Sequence, residues 1–440
     1  MQRMSIPRQC AILVGGLGTR LGKLTADTPK PLLDCGGRPF LAWIIRELTR
    51  FGIEEVVLLA SYKSERVRSF AREVAPFLPK PIEIKLSVEP QPAGTGGAIW
   101  HARQYLDEQF MLVNGDSWLD VNLARFLARV DADRDALGHV LVHHVPDAVR
   151  YGVVEMTGRQ ITAFRERPSR SGADVTNAGI YVFRRELCDF LVPDCSLERD
   201  ILPVLAARGL LSGHTLDGYF IDIGVPADYV RANRDIPARL RRGAVFFDRD
   251  GVLNEDLSWV GTRERFRWME GAGRAVRLAN DLGYHAFMVT NQAGIARGLY
   301  TMQDLVALYH WMLQELRQGG ATLDDWRFCP HHPEASIAQY KLVCACRKPQ
   351  PGMLLTLIEA WDVDVSASLF IGDKYSDIAA AERAGVAGHL YDGRCPLDEF
   401  LAKAIGKREA LPAEPEQVKP LGLAALRSRV SSPSRRDSLR

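Results

Sequence analysis

Three groups of residues in this 440-residue chain have types and spacings that could do chemistry. Asp248-Arg249-Asp250-Gly251 directly follows the apolar run Ala244–Phe247. On a strand, period-two alternation puts Asp248 and Asp250 on one side, at the carboxyl end where α/β sheets bind ligands. Such a pair offers a nucleophile, a neighbouring acid/base and oxygen ligands for a hard cation. Gly15-Gly16-Leu17-Gly18-Thr19-Arg20-Leu21-Gly22 follows a second strand-like run. Its glycines let backbone N–H groups approach phosphate, and Arg20 adds a planar cation. It contains neither the GK[ST] of a Walker loop nor G-x-G-x-x-G. Finally, Cys329-Pro330-His331 and Cys344-Ala345-Cys346 form C-x-H…C-x-C across a twelve-residue gap. Three thiolates and an imidazole suit tetrahedral Zn²⁺, and a closed four-ligand set is structural. His332 is the rival for the imidazole position.

The elements that must position these groups alternate between short β-type runs and helical patterns. This argues an α/β fold with mostly parallel sheets. Strands are expected at Gln9–Val14, Glu55–Ala60, Phe110–Val113, His139–His143, Gly179–Phe183, Ala244–Phe247, His285–Val289 and Ser368–Ile371, with helices at Phe40–Phe51 and Met302–Gln318. The polar, Pro-containing Asp235–Arg242 reads as a connector. The division is therefore residues 1–240, 241–405 and a tail of 406–440. Residues 407–440 carry eight Lys/Arg against four Asp/Glu and little to bury, so the tail is expected to be disordered.

With 47% hydrophobic and 25% charged residues, the composition excludes a disordered, collagenous or disulfide-scaffold protein. A net charge of +2 gives no surplus to drive nucleic-acid binding. The N-terminus lacks a signal-peptide core, and no apolar run reaches membrane-spanning length. A cytoplasmic enzyme without membrane or nucleic-acid partners is expected. In that compartment Cys10, Cys35, Cys188, Cys195 and Cys395 read as ordinary reduced residues.

Combined with Thr28-Pro29-Lys30-Pro31-Leu32-Leu33, the glycine loop resembles the sugar-1-phosphate nucleotidyltransferase family over about residues 8–235. Glu89-Pro90, Gly94-Thr95-Gly96-Gly97, Asn114-Gly115-Asp116, Glu166-Arg167-Pro168, Asn177-Ala178-Gly179 and Asp222-Ile223-Gly224 follow in family order. In that chemistry a sugar 1-phosphate oxygen attacks the α-phosphorus of a nucleoside triphosphate. Two anions must therefore be neutralised and aligned. The resemblance implies a Rossmann-like, GT-A-like domain with Gly15, Gly16, Gly18 and Thr19 at the nucleotide. It puts Arg20 on the triphosphate, Lys30 near the reacting phosphates, and Asp116 and Asp222 on Mg²⁺. Gly94, Thr95 and Gly96 would pass along the base, while Glu166 and Asn177 would hold sugar hydroxyls. Val14 replaces the usual Ala, and Arg167 the usual Lys. Glu89 stands where the family often faces the base edge. A carboxylate there accepts from guanine N1–H and N2–H₂, which favours GTP.

Asp248–Asp250 together with Thr290-Asn291, Arg347-Lys348-Pro349 and Gly372-Asp373-Lys374 resembles the haloacid dehalogenase (HAD) phosphatases over about residues 243–400. Within them the likeness is to the histidinol-phosphate and heptose-bisphosphate phosphatase branch. It implies a second Rossmann-like domain with a structural zinc loop of Cys329, His331, Cys344 and Cys346. Asp248 would be the nucleophile and Asp250 the acid/base, with Thr290 and Lys348 holding the phosphoryl group. Asp248, the Asp250 carbonyl and Asp373 would bind Mg²⁺. Asp256 to Trp259, Asn291, Arg347 and Lys374 would surround the substrate. Asp377 is either a helix-start residue or a ligand. A phosphatase that spares the anomeric phosphate of a sugar bisphosphate would feed the first domain. The fusion therefore implies C7 dephosphorylation of a heptose 1,7-bisphosphate, then guanylyl transfer. A mannose or N-acetylmuramate 1-phosphate enzyme using GTP or UTP, with a phosphatase of other specificity, is the alternative.

Overall fold

The computed structural model describes residues 6–16, 18–145, 152–165 and 174–406. The basic tail at 407–440 and the Glu166-Arg167-Pro168 segment lie outside them. The chain divides into two compact units, Met1–Leu240 and Arg241–Arg440. No helix among the described residues is long and apolar enough to cross a membrane.

The strands of the first unit are β1 (Gln9–Leu13), β2 (Glu55–Ala60), β3 (Glu83–Val88), β4 (Gln109–Asn114), β5 (Ser117–Asp120), β6 (Gly138–Val145), β7 (Val153–Thr157), β8 (Gln160–Arg165), β9 (Asp174–Arg184), β10 (Leu211–Thr215) and β11 (Tyr219–Asp222). Nine of them form one sheet, ordered β3-β2-β1-β4-β9-β6-β10-β8-β7, while β5 and β11 form a separate antiparallel ribbon. Strands β3, β2, β1 and β4 run parallel, but β9 pairs antiparallel with both β4 and β6. This sheet is therefore mixed rather than mostly parallel. Local periodicity shows that a strand exists; its direction is set by which distant strands it pairs with. A bulge in the β6–β9 pairing between Leu141 and Val142 re-aims the Asn177–Gly179 stretch. Gly179 adopts φ +71° there, and a Cβ on it would meet Asn114 Nδ2 at 2.5 Å.

The expected connector at 235–242 is mostly helix. The helix Pro226–Leu240 continues through Pro237 to its end. Ala232, Ile236 and Leu240, spaced by four, are fully buried in the core and outweigh the local Pro signal.

The second unit has β12 (Ala244–Phe247), β13 (His285–Asn291), β14 (Asp325–Cys329), β15 (Leu369–Gly372) and β16 (Ala387–Leu390). They form an all-parallel sheet ordered β14-β13-β12-β15-β16. All four residues of β12 are buried, as a two-sided parallel strand requires. The order reverses at β12, so a crevice opens beyond its carboxyl end. The helix Met302–Gln318 starts at a capping box between Thr301 and Asp304, and buries Leu305, Leu308, Tyr309, Met312 and Leu316.

Three histidines of the first unit are buried: His139 and His143 on β6, and His214 on β10. Burial, the largest cause in each case, pushes them down to about 4, about 4 and about 3. The folded state holds them neutral, whereas the unfolded chain protonates them near pH 6.5. Acid therefore favours unfolding. Each histidine withdraws about 1.4 kcal/mol per pH unit below about 6.5, until its folded value is reached. The thermal midpoint for loss of nucleotidyl transfer should fall from pH 7 to pH 5. His143→Phe, at a ring tilted 38° to Phe220 with centroids 4.3 Å apart, should flatten part of that slope, and a midpoint independent of pH would refute the argument.

Candidate functional site

In the first unit the carboxyl ends of β1 and β4 and the β5–β11 ribbon converge. The glycine loop leaves β1, and Gly18 takes φ +62° with Thr25 only 2.8 Å from the position of a Cβ. Only glycine fits that turn without strain. Gly15 packs on Ser61, leaving Gly16, Thr19 and Arg20 facing solvent. Arg20 makes no hydrogen bond or ion pair among the described residues, so its guanidinium is open to an anion.

Pairing of β5 with β11 sets Asp222 opposite Ser117, and Ile223 N–H donates to the Asp116 carbonyl. This brings the Asp116 and Asp222 carboxylates together from 106 residues apart. Lys30, buried in the short helix Lys30–Leu32, places Nζ 2.7 Å from Asp116 Oδ2 and 3.1 Å from Asp222 Oδ1. Burial, then the Asp116 charge, raises the Asp222 carboxyl, and Lys30 opposes both. Gly224 leaves room, since a Cβ there would meet Asp222 Oδ1 at 3.0 Å and Lys30 Nζ at 3.3 Å. Two adjacent carboxylates, each about one-third exposed, are a donor set that suits a hard cation bridging to phosphate oxygens.

Glu89 lies beside this loop, with Oε1 3.5 Å from where a Gly15 Cβ would be. Ser61 and the Ala93 N–H reach its carboxylate, but Oε2 is buried without a hydrogen-bond partner. Burial raises its pKa, the largest of several causes. Other expected nucleotide residues make contacts with the segment Cys195–Glu198. Gly96 N–H donates to the Cys195 carbonyl, Gly94 has φ +74° against that same carbonyl, and Thr95 bonds Glu198 and the Leu197 N–H. This stretch anchors the segment around Cys195, whose carbonyl takes up the Gly96 and Gly97 N–H groups. Asn177 donates to Tyr181 Oη and accepts from Gly179 N–H, which holds the bulge. Glu166 lies outside the described residues.

In the second unit Asp248 ends β12, Thr290 and Asn291 end β13, and Asp373 follows β15. Lys348 is buried with Nζ 2.7 Å from Asp248 Oδ1, 2.8 Å from Asp377 Oδ1 and 3.0 Å from the Val289 carbonyl. Burial raises the Asp248 carboxyl and Lys348 opposes it. Burial would lower Lys348, but Asp248 and Asp377 outweigh it and hold the ammonium above its usual range. Asp377 accepts from Lys374 N–H at the helix start, as one of its two expected roles requires, and it also pairs with Lys348.

Asp250 is held by Arg249 at 2.8 Å, Asn254 at 3.0 Å and Gln292 at 2.9 Å. Gln292 also donates to Thr290 Oγ1 and accepts from Tyr300. Sequence reasoning missed Arg249, Asn254 and Gln292; their adjacency to Asp250 and Asn291 was the available signal. Asn291 exchanges two 3.1 Å hydrogen bonds with the Lys348 backbone, so it positions Lys348 instead of lining open space. Asp248, Asp373 and Asp377 carry carboxylate oxygens within 4.8 Å of one another. Asp373 Oδ1 is buried with no partner, and a Cβ on Gly251 would clash with that carboxylate at 2.4 Å. An orphaned buried carboxylate oxygen fits a cation here. At the rim, Lys374 Nζ lies 3.0 Å from Asp256 Oδ2. Exposed Trp259 carries the Arg297 guanidinium 5.1 Å from its ring centroid.

Cys329, His331, Cys344 and Cys346 cluster with Sγ–Sγ distances of 3.5, 3.4 and 3.2 Å; His331 Nδ1 lies 3.7 and 3.4 Å from Cys329 and Cys346. Thiolates on zinc, with bonds of about 2.3 Å, would stand about 3.8 Å apart, and a thiolate and an imidazole about 3.5 Å. The donor set fits, and the sulfurs sit a few tenths of an ångström closer than a bound ion would hold them. His332 faces away and accepts from Glu334 N–H. Arg347 donates to the His331 carbonyl at 3.1 Å, which ties the cluster to the loop carrying Lys348.

Residues 10–239, just over half the chain, match the nucleotidyl transferase family model, and residues 345–398 match the HAD-hydrolase-like model. The chain belongs to the nucleotidyl transferase family through its first unit and to the HAD phosphatases through its second. Among curated relatives, a D-glycero-beta-D-manno-heptose-1,7-bisphosphate 7-phosphatase of Rhodopseudomonas palustris is 48% identical over 165 residues, 38% of this chain and 91% of that protein. A D-glycero-alpha-D-manno-heptose-1,7-bisphosphate 7-phosphatase of Burkholderia mallei is 44% identical over 151 residues, 34% and 80% of the two chains. The solved structure of HddC from Yersinia pseudotuberculosis with GMP-PN is 30% identical, covers 51% of this chain and 97% of that one, and has a TM-score of 0.46.

Replacing Lys348 with Met leaves two buried carboxylates without their cation. The second unit should lose about 3–5 kcal/mol of stability, read by denaturant unfolding, together with its phosphatase activity. Asn291→Ala should keep the fold and lower phosphatase kcat about tenfold, leaving nucleotidyl transfer unchanged.

Proposed function

We propose that the chain is a bifunctional enzyme that removes the C7 phosphate of D-glycero-D-manno-heptose 1,7-bisphosphate and transfers GMP from GTP to the resulting heptose 1-phosphate. One observation carries this reading: phosphatase relatives up to 48% identical act on a 1,7-bisphosphate at C7. Hydrolysis at C7 leaves the anomeric phosphate, which is what a sugar-1-phosphate nucleotidyl transferase consumes.

In the second unit Asp248 attacks the C7 phosphorus while Lys348 neutralises the phosphoryl oxygens and Thr290 donates to one of them. Asp250, held by Arg249, Asn254 and Gln292, protonates the leaving alkoxide and then takes a proton from the water that cleaves the aspartyl phosphate. Asp248, Asp373 and the Asp250 carbonyl would hold Mg²⁺, whose positive charge shields the attacking carboxylate from the phosphate. Arg347, Lys374, Asp256 and Trp259 surround the rest of the sugar. Cys329, His331, Cys344 and Cys346 would hold a structural zinc that stiffens the loop delivering Arg347 and Lys348. In the first unit Arg20 binds the triphosphate and Lys30 the reacting phosphates, with Gly15, Gly16, Gly18 and Thr19 along the nucleotide. Asp116 and Asp222 would hold a second Mg²⁺. Glu89 would accept from the N–H groups of the guanine edge, which favours GTP over bases that present a carbonyl there.

Full-length protein with heptose 1,7-bisphosphate, GTP and Mg²⁺ should yield GDP-heptose and two phosphate products, orthophosphate and pyrophosphate. Asp248→Asn should stall at bisphosphate and Lys30→Ala at monophosphate; nucleotide sugar made from bisphosphate by Asp248→Asn would refute the sequence of steps. Supplying the α and β anomers separately reports which one enters the first unit. Glu89→Gln should lower kcat/KM for GTP about tenfold and narrow its lead over UTP. Zinc removal or Cys344→Ser should depress phosphatase turnover while sparing nucleotidyl transfer; zinc-free protein with full phosphatase activity would count against a structural metal.

A further inference from the structure

Away from both active sites, the helix Leu123–Ala132 touches β10 through Phe126 and Arg129 and ends at Asp133. In the β10–β6 register Ser212 lies opposite His139, so His139, Ser212 and, two residues on, His214 share that face. His139 and His214 are each 2% exposed, and His139 Nδ1 stands 3.1 Å from His214 Nε2. Ser212 Oγ donates to Asp133 Oδ2 at 2.6 Å, which turns the carboxylate toward the pair. Phe126 packs edge-on against the His214 ring at 5.5 Å and fixes it from the helix side. One ligand atom from each of Asp133, His139 and His214 lies within 4.8 Å of the others.

We propose that Asp133, His139 and His214 form a binding site for a borderline divalent ion of the zinc class, separate from the cysteine cluster. Two imidazole nitrogens on a tetrahedral ion, with bonds of about 2.0–2.1 Å, stand about 3.3 Å apart, close to the 3.1 Å found. Both rings are neutral at pH 7, as ligands must be. A cleft of about 10 Å³, lined by Asp133, His139, Asp131, Arg134 and Arg184, reaches two of the three ligands. It is about the size of one water, the room that a fourth ligand would need. The ion would pin the end of the helix to two strands of the sheet. Arg129, Arg159 and Arg184 face the histidines, and their charges oppose Asp133. The site should therefore release its metal to a chelator before the thiolate cluster does.

Metal-stripped full-length protein equilibrated with Co²⁺ in excess Mg²⁺, which occupies the carboxylate sites, separates the possibilities. Two tight equivalents are expected: one with thiolate-to-metal charge-transfer absorption, and one adding only visible ligand-field bands. His139→Gln and His214→Gln should each remove the second equivalent and leave the thiolate bands, while Cys344→Ser should do the reverse. Should the histidine variants misfold, Asp133→Asn keeps the Ser212 hydrogen bond and should weaken the second equivalent at least tenfold. A single thiolate-ligated equivalent in wild type would show that the histidines are only a hydrogen-bonded core pair. Two equivalents unchanged in Asp133→Asn would place the second ion elsewhere. Either result overturns the proposal.

Discussion

Two carboxylates taken partly out of water cannot stay close together and ionised unless a cation stands between them. Both units of this chain meet that constraint with a lysine. Lys30 joins Asp116 to Asp222, and Lys348 joins Asp248 to Asp377. The surroundings differ in a way that suits the two chemistries. Lys348 and its partners are sealed, with side chains at most 7% exposed, whereas Asp116 and Asp222 are about one-third exposed. A carboxylate nucleophile is most effective when stripped of water, while a triphosphate and a sugar phosphate need an open mouth.

The rest of each fold can be understood as holding those groups at the carboxyl ends of parallel strands. In the second unit Asp248, Thr290 and Asp373 come from the ends of three adjacent strands, so one sheet sets all their spacings. In the first unit the two aspartates come from different layers, and the small β5–β11 ribbon brings them into register. Glycines without room for a Cβ recur at both centres, Gly224 beside Asp222 and Gly251 beside Asp373, because a methyl group would push the carboxylate out of place.

Hydrolysis and nucleotidyl transfer coexist safely on one chain only if they act on different phosphates of the sugar. An unselective phosphatase would destroy the sugar 1-phosphate that the other unit requires. Selectivity must come from groups that contact the distal part of the substrate, since the reacting groups themselves treat any phosphate monoester alike. The hydrogen bond from Arg347 to the His331 carbonyl couples the cysteine cluster to the loop that carries Lys348.

Much of this was legible in the residues alone. Asp248 and Asp250 after four apolar residues, Lys30 in Thr-Pro-Lys-Pro, the cysteine–histidine spacing and the α/β alternation are local patterns, and local patterns survive without the fold. What the sequence left open concerned partners distant along the chain. It could not show that β9 runs antiparallel between β4 and β6, or that 235–240 continues a helix because Ile236 and Leu240 reach the core. Nor could it show that Gly94–Gly96 serve packing against Cys195, that Asn291 holds the Lys348 backbone, or that Asp377 both starts a helix and pairs with Lys348. Side-chain chemistry and short-range spacing are written in the chain. Direction, register and the choice of partner arise only when segments a hundred or more residues apart compete for the same buried space, and that competition is decided by the tertiary structure.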